Sequence, residues 1–153
     1  MIKTLVLGLG NEMISDDAIG ILAVRQARRL WEARHLNSEI EFVECSVHGI
    51  ALLEFFMGYD RAILVDSIQT GKHPPGTILV VDPNKLAPVT APSPHFTGLP
   101  ELLGIAHQLK LPFPKEFSIL AMEVSNTNTL GEKLSPAVEF AMPLFVDKII
   151  ASI

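Results

Sequence analysis

The sequence predicts an α/β fold, a three-layer sandwich in which a mostly parallel, twisted central sheet carries helices on both faces. Short aliphatic runs alternate with segments of helical periodicity along nearly the whole chain. No repeat or low-complexity linker interrupts them, and 153 residues suit one domain of ordinary size. We therefore expect a single domain over residues 1–153, with its functional residues in loops beyond the carboxyl ends of the strands.

The first strand and helix follow from the start of the chain. Residues 2–7 are a continuous aliphatic run that ends at Gly8, which predicts a buried strand entering a tight loop. Apolar residues then recur at helical spacing as far as Trp31. This helix starts near Asp16 or Asp17, and either carboxylate can cap its free N–H groups, which is the expected role of Asp16.

The next elements continue the alternation of strand and helix. Residues 39–44 alternate between apolar and polar and predict a strand, and residues 49–58 predict a short helix. An aliphatic strand over residues 61–65 ends at Asp66. A Pro-Pro-Gly turn then leads into a further strand over residues 77–81.

A proline-rich loop divides the two halves of the chain. Residues 83–100 contain five prolines, which neither a helix nor an inner strand tolerates, and this loop holds His95. Loops of this length in compact domains are often functional. Residues 97–109 predict a helix, residues 117–122 an aliphatic strand, and residues 135–151 a helix with proline in its first turn.

Composition excludes several classes of protein. The net charge of −5 argues against a nucleic-acid partner, which requires a basic surface. A single cysteine, Cys45, excludes an internal disulfide and a multi-cysteine metal cage. We expect no signal peptide, because the first apolar run is short and stops at Gly8, and no uninterrupted apolar run has membrane-spanning length. We expect a cytoplasmic protein, monomeric, without a membrane partner.

The glycines after the first strand suggest one alternative, a nucleotide-binding domain. Gly8 and Gly10 match the start of the dinucleotide fingerprint, but Met13 stands at the third glycine position. Asp16 and Asp17 then lie where a pyrophosphate would dock, and two carboxylates repel a phosphate while attracting a cation. The pattern disfavours a nucleotide site without excluding it.

Three residues from separate loops form a candidate metal site. Asp17, Asp66 and His95 together offer two carboxylates and an imidazole, which suit a divalent ion such as Ni²⁺ or Zn²⁺ and leave positions open for substrate. Each also has an ordinary structural interpretation. In that interpretation the helix dipole stabilises the Asp17 carboxylate in a first helical turn. Asp66 is then a solvated acid at a strand end, and His95 is an ordinary loop histidine.

Motifs spread over almost the whole chain resemble those of the [NiFe]-hydrogenase maturation endopeptidases. The most specific is LGLGNEMISDDAIG over residues 7–20. VDSI at 65–68, PGT at 75–77, SPH at 93–95 and LSPAV at 134–138 follow in the same order as in that family. The resemblance implies an α/β fold with a twisted central sheet, in agreement with the prediction from the pattern of elements.

The resemblance also implies an activity and a site. Members of the family remove a C-terminal extension from the immature hydrogenase large subunit after nickel is inserted. Their metal-contacting and catalytic residues fall on Asp17, Asp66 and His95 of this sequence. The nickel is supplied by the substrate, and cadmium or zinc can occupy the same position. A non-enzymatic, nickel-sensing chaperone for the precursor is the alternative function.

The sequence departs from the family pattern at two places. Ala18 stands where glycine is common, and residues 44–49 (ECSVHG) replace an Asp-Gly-Gly-Thr-like turn. This leaves open whether Cys45 or His48 adds a ligand to the cleft. We expect Cys45 to be a small buried residue and His48 a surface residue. The remaining histidines are expected in solvent, namely His35, His73 and His107.

Overall fold

A computed structural model describes residues 2–35, 39–47, 49–83, 99–131 and 133–153. Five strands form one sheet in the order β2-β1-β3-β5-β4, and of these described strands only β4 runs antiparallel to its neighbour. The predicted α/β class with a mostly parallel sheet is therefore confirmed. The strands are β1 (Thr4–Leu9), β2 (Ile40–Cys45), β3 (Arg61–Ile68), β4 (Ile78–Val81) and β5 (Glu116–Glu123).

The helices lie where the apolar periodicity places them. They are α1 (Ile19–Glu32), α2 (Leu53–Phe56), α3 (Leu99–Gln108) and α4 (Pro136–Ser152). Short 3₁₀ turns over Ser15–Ala18 and Gly49–Leu52 precede α1 and α2, so both helices begin later than predicted. Within the described ranges, no helix combines the length and apolar character that crossing a bilayer requires.

Strand β3 is longer than predicted, and this corrects the position of Asp66. The aliphatic run ends at Val65, but backbone pairing with β5 continues to Ile68. Asp66 pairs with Ala121 and therefore lies inside the strand rather than after it. A hydrophobic pattern does not reveal this, because a polar residue can extend a strand as long as its backbone groups find partners.

Two apolar layers hold the helices against the sheet. Successive residues of a strand face opposite sides, so Ile63 of β3 packs with α1 and α4 while Leu64 packs with α2 and α3. Phe145 and Phe56 are the largest side chains fully buried in the two layers. Each such burial stabilises the fold by about 1.5–3 kcal/mol. The three-layer sandwich thus has the helices on both faces that the sequence predicts.

Helix α1 starts unusually close to the sheet, and Gly20 makes this possible. A Cβ atom at Gly20 would lie 2.3 Å from the carbonyl oxygen of Leu9 and 2.5 Å from that of Val65. No side chain fits there, so the first turn of α1 rests directly on the carboxyl ends of β1 and β3. This contact fixes the 3₁₀ turn that precedes α1, and with it Asp17, at the end of β3.

Candidate functional site

Two of the three predicted site residues lie beside Ser67 at the end of β3. Asp66 is fully buried and Asp17 is 8% exposed. Ser67, also buried, contacts both: its backbone N–H donates to Asp66 Oδ1 at 2.7 Å, and its hydroxyl donates to Asp17 Oδ1 at 3.4 Å. The structure therefore brings Asp17 and Asp66 to one residue of the sheet, although they are far apart in sequence.

The two carboxylates approach this point from different directions. Alternation along β3 places Ser67 on the side of α1, where it reaches Asp17, and Asp66 on the opposite side. His95 lies outside the described residues, as does His48. Among the residues that the structure describes, no group of three or more His, Cys, Asp or Glu side chains is placed to hold a metal ion. Asp17 and Asp66 are thus two buried acids on opposite sides of β3, each next to Ser67, and a cation site there needs further donors.

The backbone around Asp17 shows why the chain has glycine at position 10. Gly10 has φ +152°, and a Cβ there would lie 2.1 Å from the carbonyl oxygen of Asp17. That same oxygen accepts the N–H of Asn11 at 3.4 Å. The absence of a side chain at Gly10 therefore lets its backbone lie directly against the backbone of Asp17. A contact within the protein therefore explains Gly10, and this glycine gives no support to the nucleotide-binding alternative.

Asp16 has a different role from the one predicted. No side-chain cap is present at the 3₁₀ turn or at α1, so the expected capping of its own helix by Asp16 is wrong. Its fully buried carboxylate instead accepts hydrogen bonds from the backbone N–H groups of Ser125, Asn126 and Ser135 and from the Ser135 hydroxyl, at 2.7–3.3 Å. The partners lie more than a hundred residues away, which is why local sequence does not reveal them.

Backbone hydrogen bonds join the same two segments of chain. Ser15 N–H donates to the carbonyl of Gly131 at 2.8 Å, and Gly131 N–H donates to the carbonyl of Met13 at 2.8 Å. Asp16 N–H donates to the carbonyl of Asn126 at 3.0 Å. The loop that carries Asp17 is therefore held on one side by α1 and on the other by the loop that follows β5. Such support on both sides preorganises the side chain that the loop carries.

Glu123 is a third buried acid in this region, and sequence reasoning missed it. It is 1% exposed and lies beside Ile68 in the register of β3 and β5. Both of its carboxylate oxygens bind Thr70, one through the Thr70 backbone N–H at 2.7 Å and the other through the Thr70 hydroxyl. The one feature of the sequence that could have identified Glu123 is its position at the end of an aliphatic strand. Glu123 fixes the loop after β3 and is occupied in doing so.

A cavity of about 330 Å³ opens beside the loop that carries Asp17, between the ends of β1 and β2. Arg25 of α1 spans its rim and forms ion pairs with Glu12 at 3.0 Å and with Glu44 at 2.7 Å. The hydrogen bond to Glu12, reinforced by Glu44, holds the pKa of the Arg25 guanidinium above its ordinary value against the effect of burial. These exposed pairs contribute little to stability, but they order the mouth of the cavity.

Comparison with known proteins agrees with this architecture. The family model of HycI, described as hydrogenase maturation protease, matches residues 24–152. The chain belongs to this family. This match confirms the family resemblance of the sequence motifs. Because the family consists of maturation proteases, the chain is assigned to the peptidases.

Individual relatives show how far the similarity extends. The chain is 28% identical over 146 residues to the hydrogenase 2 maturation protease of Escherichia coli, covering 90% of this chain and 87% of that protein. It is 26% identical over 148 residues to the hydrogenase expression/formation protein HupD of Rhizobium leguminosarum, covering 95% and 71% respectively. The structure of the hydrogenase maturating endopeptidase HybD from E. coli superposes with a TM-score of 0.81 at 26% identity, covering 99% of this chain and 91% of the other.

Cys45 lines the same cavity in this maturation protease and is buried, as the sequence analysis expects. Burial raises the pKa of the Cys45 thiol, although a hydrogen bond with the backbone of Val47 opposes the shift. A protonated thiol is a poor metal ligand, since the thiolate is the form that binds. The exposure predicted for three histidines is also confirmed, at His35, His73 and His107.

Proposed function

We propose that this hydrogenase maturation protease removes the C-terminal extension of the [NiFe]-hydrogenase large subunit after nickel has been inserted. In this proposal Asp17, Asp66 and His95 contact the nickel that the immature subunit carries and act in catalysis. The observation that supports it most directly is the burial of two acids, Asp17 and Asp66, next to Ser67 at the carboxyl end of β3. Family membership supplies the peptidase class.

The chemistry of the acid pair suits such a role. Carboxylates are good ligands for divalent cations, and a nearby cation stabilises a charged carboxylate that is buried. The nickel belongs to the substrate, and cadmium or zinc can replace it in the purified protein. A metal ion near a peptide bond polarises the carbonyl group. One of the two carboxylates can take a proton from the attacking water, and that proton then goes to the amine released when the C–N bond breaks.

The decisive experiment compares two forms of one precursor. The protein is incubated with the nickel-loaded and the nickel-free large subunit from the same genome, and masses are read by mass spectrometry. We expect the nickel-loaded precursor alone to lose the mass of its C-terminal extension. Equal cleavage of both forms would refute the nickel requirement.

The same experiment separates the peptidase from a nickel-sensing chaperone. A chaperone would bind the nickel-loaded precursor and leave its mass unchanged. A catalytically altered variant that binds the precursor equally well is the matched control for this measurement. The cytoplasmic location and the monomeric state stay predictions, which fractionation of cells and sedimentation analysis test.

A further inference from the structure

A groove runs along α3, on the face of the sheet opposite to α1 and α4. It consists of two adjoining cavities of about 560 Å³ and 420 Å³, which share Leu103 and His107. Apolar side chains form its floor, chiefly Leu103, Leu111 and Phe113. We call this feature the α3 groove. Its volume is in the range of sites that enclose a ligand or several side chains of a partner.

Two lysines and a histidine form the rim of the α3 groove at the end where α3 stops. His107, Lys110 and Lys115 line the larger cavity and are exposed. In the described part of the chain, Arg25, Arg28 and Arg61 all pair with carboxylates, whereas neither of these two lysines does. The charges of Lys110 and Lys115 are therefore not neutralised by a described carboxylate, and they complement an anionic partner.

The backbone at Lys110 supports a role for its charge. Helix α3 ends in a Schellman motif, in which Leu111 N–H donates to the carbonyl of Ala106 at 3.0 Å and Lys110 N–H to that of His107 at 3.3 Å. Lys110 has φ +53°, a left-handed conformation that favours glycine. The chain therefore places a lysine where the backbone favours glycine. This mild strain makes Lys110 the side chain of the groove to test first.

The position of the α3 groove sets it apart from the acid pair. Lys115 directly precedes β5, so the cationic rim lies at the amino edge of the sheet, whereas Asp17 and Asp66 lie at the carboxyl edge. The eight residues of β5 separate the two edges by about 25 Å at the rise of a β-strand. A ligand that contacts both must be a macromolecule.

We propose that the α3 groove binds an acidic segment of the hydrogenase precursor, anchored by an apolar side chain on the floor of the groove. This proposal rests on the proposed function, because it takes the precursor as the partner. Carboxylates of the segment pair with Lys110 and Lys115, and the contact holds the folded body of the precursor while its C-terminal extension reaches Asp17 and Asp66. The groove thereby contributes to recognition and has no part in the bond cleavage.

The test reverses one charge in the groove and the same charge elsewhere. Lys110→Glu is compared with Lys148→Glu, which changes an exposed lysine of α4 on the other face. Processing of the nickel-loaded precursor is measured at low and moderate salt. For Lys110→Glu we expect KM to rise about tenfold and kcat to stay within about twofold, with less dependence on salt. Lys148→Glu is expected to behave as the wild type.

A second variant separates binding from folding. Lys110→Gly removes both the charge and the backbone strain, so we expect a higher Tm together with a raised KM. An unchanged KM in Lys110→Glu and Lys110→Gly would overturn the groove proposal and leave the proposed function intact.

Direct binding measurements distinguish the remaining outcomes. If the wild type binds the nickel-loaded precursor without cleaving it, the proposed function fails, and weaker binding by Lys110→Glu still supports the groove. If the wild type shows neither binding nor cleavage, both proposals are wrong.

Discussion

Ser135 donates both its backbone N–H and its hydroxyl to Asp16. The backbone N–H lies 2.7 Å from Oδ1 and the hydroxyl 2.7 Å from Oδ2. Ser135 immediately precedes α4, and Asp16 lies in the turn before α1, so a single buried carboxylate joins the starts of the two helices that cover one face of the sheet. Its negative charge also lies beside the unsatisfied N–H groups at the start of α4, where the helix dipole favours an anion.

Replacement of Asp16 by asparagine is expected to destabilise the fold. In the wild type, N–H and O–H donors surround both carboxylate oxygens of Asp16. Asparagine replaces one of these oxygens by an NH₂ group, so at least one buried donor loses its acceptor. We expect the free energy of unfolding to fall by about 2–4 kcal/mol. Urea denaturation measures it. Asp147→Asn, at an exposed position of α4, is the control, with an expected change within about 0.5 kcal/mol. Equal effects of the two substitutions would contradict the role assigned to Asp16.

Two helical glycines are expected to respond oppositely to alanine. Gly20→Ala places a methyl group against the carbonyls of Leu9 and Val65, which are backbone atoms that cannot move aside. It should cost about 3 kcal/mol or more. Gly104→Ala in α3 meets no atom within 4 Å and should stabilise the protein by about 0.5–1 kcal/mol. Thermal unfolding of both variants tests this contrast, and a stable Gly20→Ala variant would refute the close contact of α1 with the sheet.

Asp17→Asn is expected to reduce processing of the nickel-loaded precursor by about 100-fold or more, since a neutral amide neither attracts the cation nor accepts a proton. Asp17 is at the edge of the buried region, so the Tm should stay close to that of the wild type. Glu139→Gln, at an exposed position in the first turn of α4, is the control for loss of one negative charge. Wild-type rates of cleavage by Asp17→Asn would remove this residue from the proposed site.

The contribution of Cys45 to stability is expected to fall at high pH. Burial raises the pKa of its thiol above the ordinary value of 9.0, so the folded state favours the neutral form. In the unfolded chain the thiol ionises at its ordinary pKa, and above that pH the thiolate stabilises the unfolded chain. The contribution is therefore complete below pH 9.0 and declines as pH rises toward the folded pKa.

Comparison of the wild type with Cys45→Ala isolates this effect from that of Tyr59, whose pKa is raised to about 12 by burial and by its hydrogen bond to Glu41. The difference in unfolding free energy between the two proteins should shrink from pH 8 to pH 10, because the thiol ionises in the unfolded chain before it ionises in the folded protein. A difference that is constant or grows with pH would show that Cys45 is not the buried, neutral thiol described here.

The fold was accessible from the sequence because its determinants are local. Each strand is a short aliphatic run and each long helix repeats its apolar residues at helical spacing, so the alternation of layers follows from the pattern. The exact ends did not follow. Asp66 extends β3 because β5 provides backbone partners, and α1 begins at Ile19 because a 3₁₀ turn takes up the residues before it.

The site was accessible only in part, for a related reason. Asp17 and Asp66 could be selected from their places at the ends of predicted elements and from the family resemblance. The role of Asp16 depends on Ser135, 119 residues further along the chain, and no local pattern contains such a contact. Glu123 likewise depends on Thr70, in a loop whose path is set by the fold. Side chains that join distant loops require the three-dimensional structure.

The link between Asp16 and Ser135 has a consequence for biosynthesis. The loop that bears Asp17 is made early by the ribosome, yet its supporting contacts come from Asn126, Gly131 and Ser135, near the other end of the sequence. A nascent chain therefore cannot complete the support of this loop until Ser135 has left the exit tunnel. Translation order thus makes the ordering of the loop that bears Asp17 one of the last steps of folding.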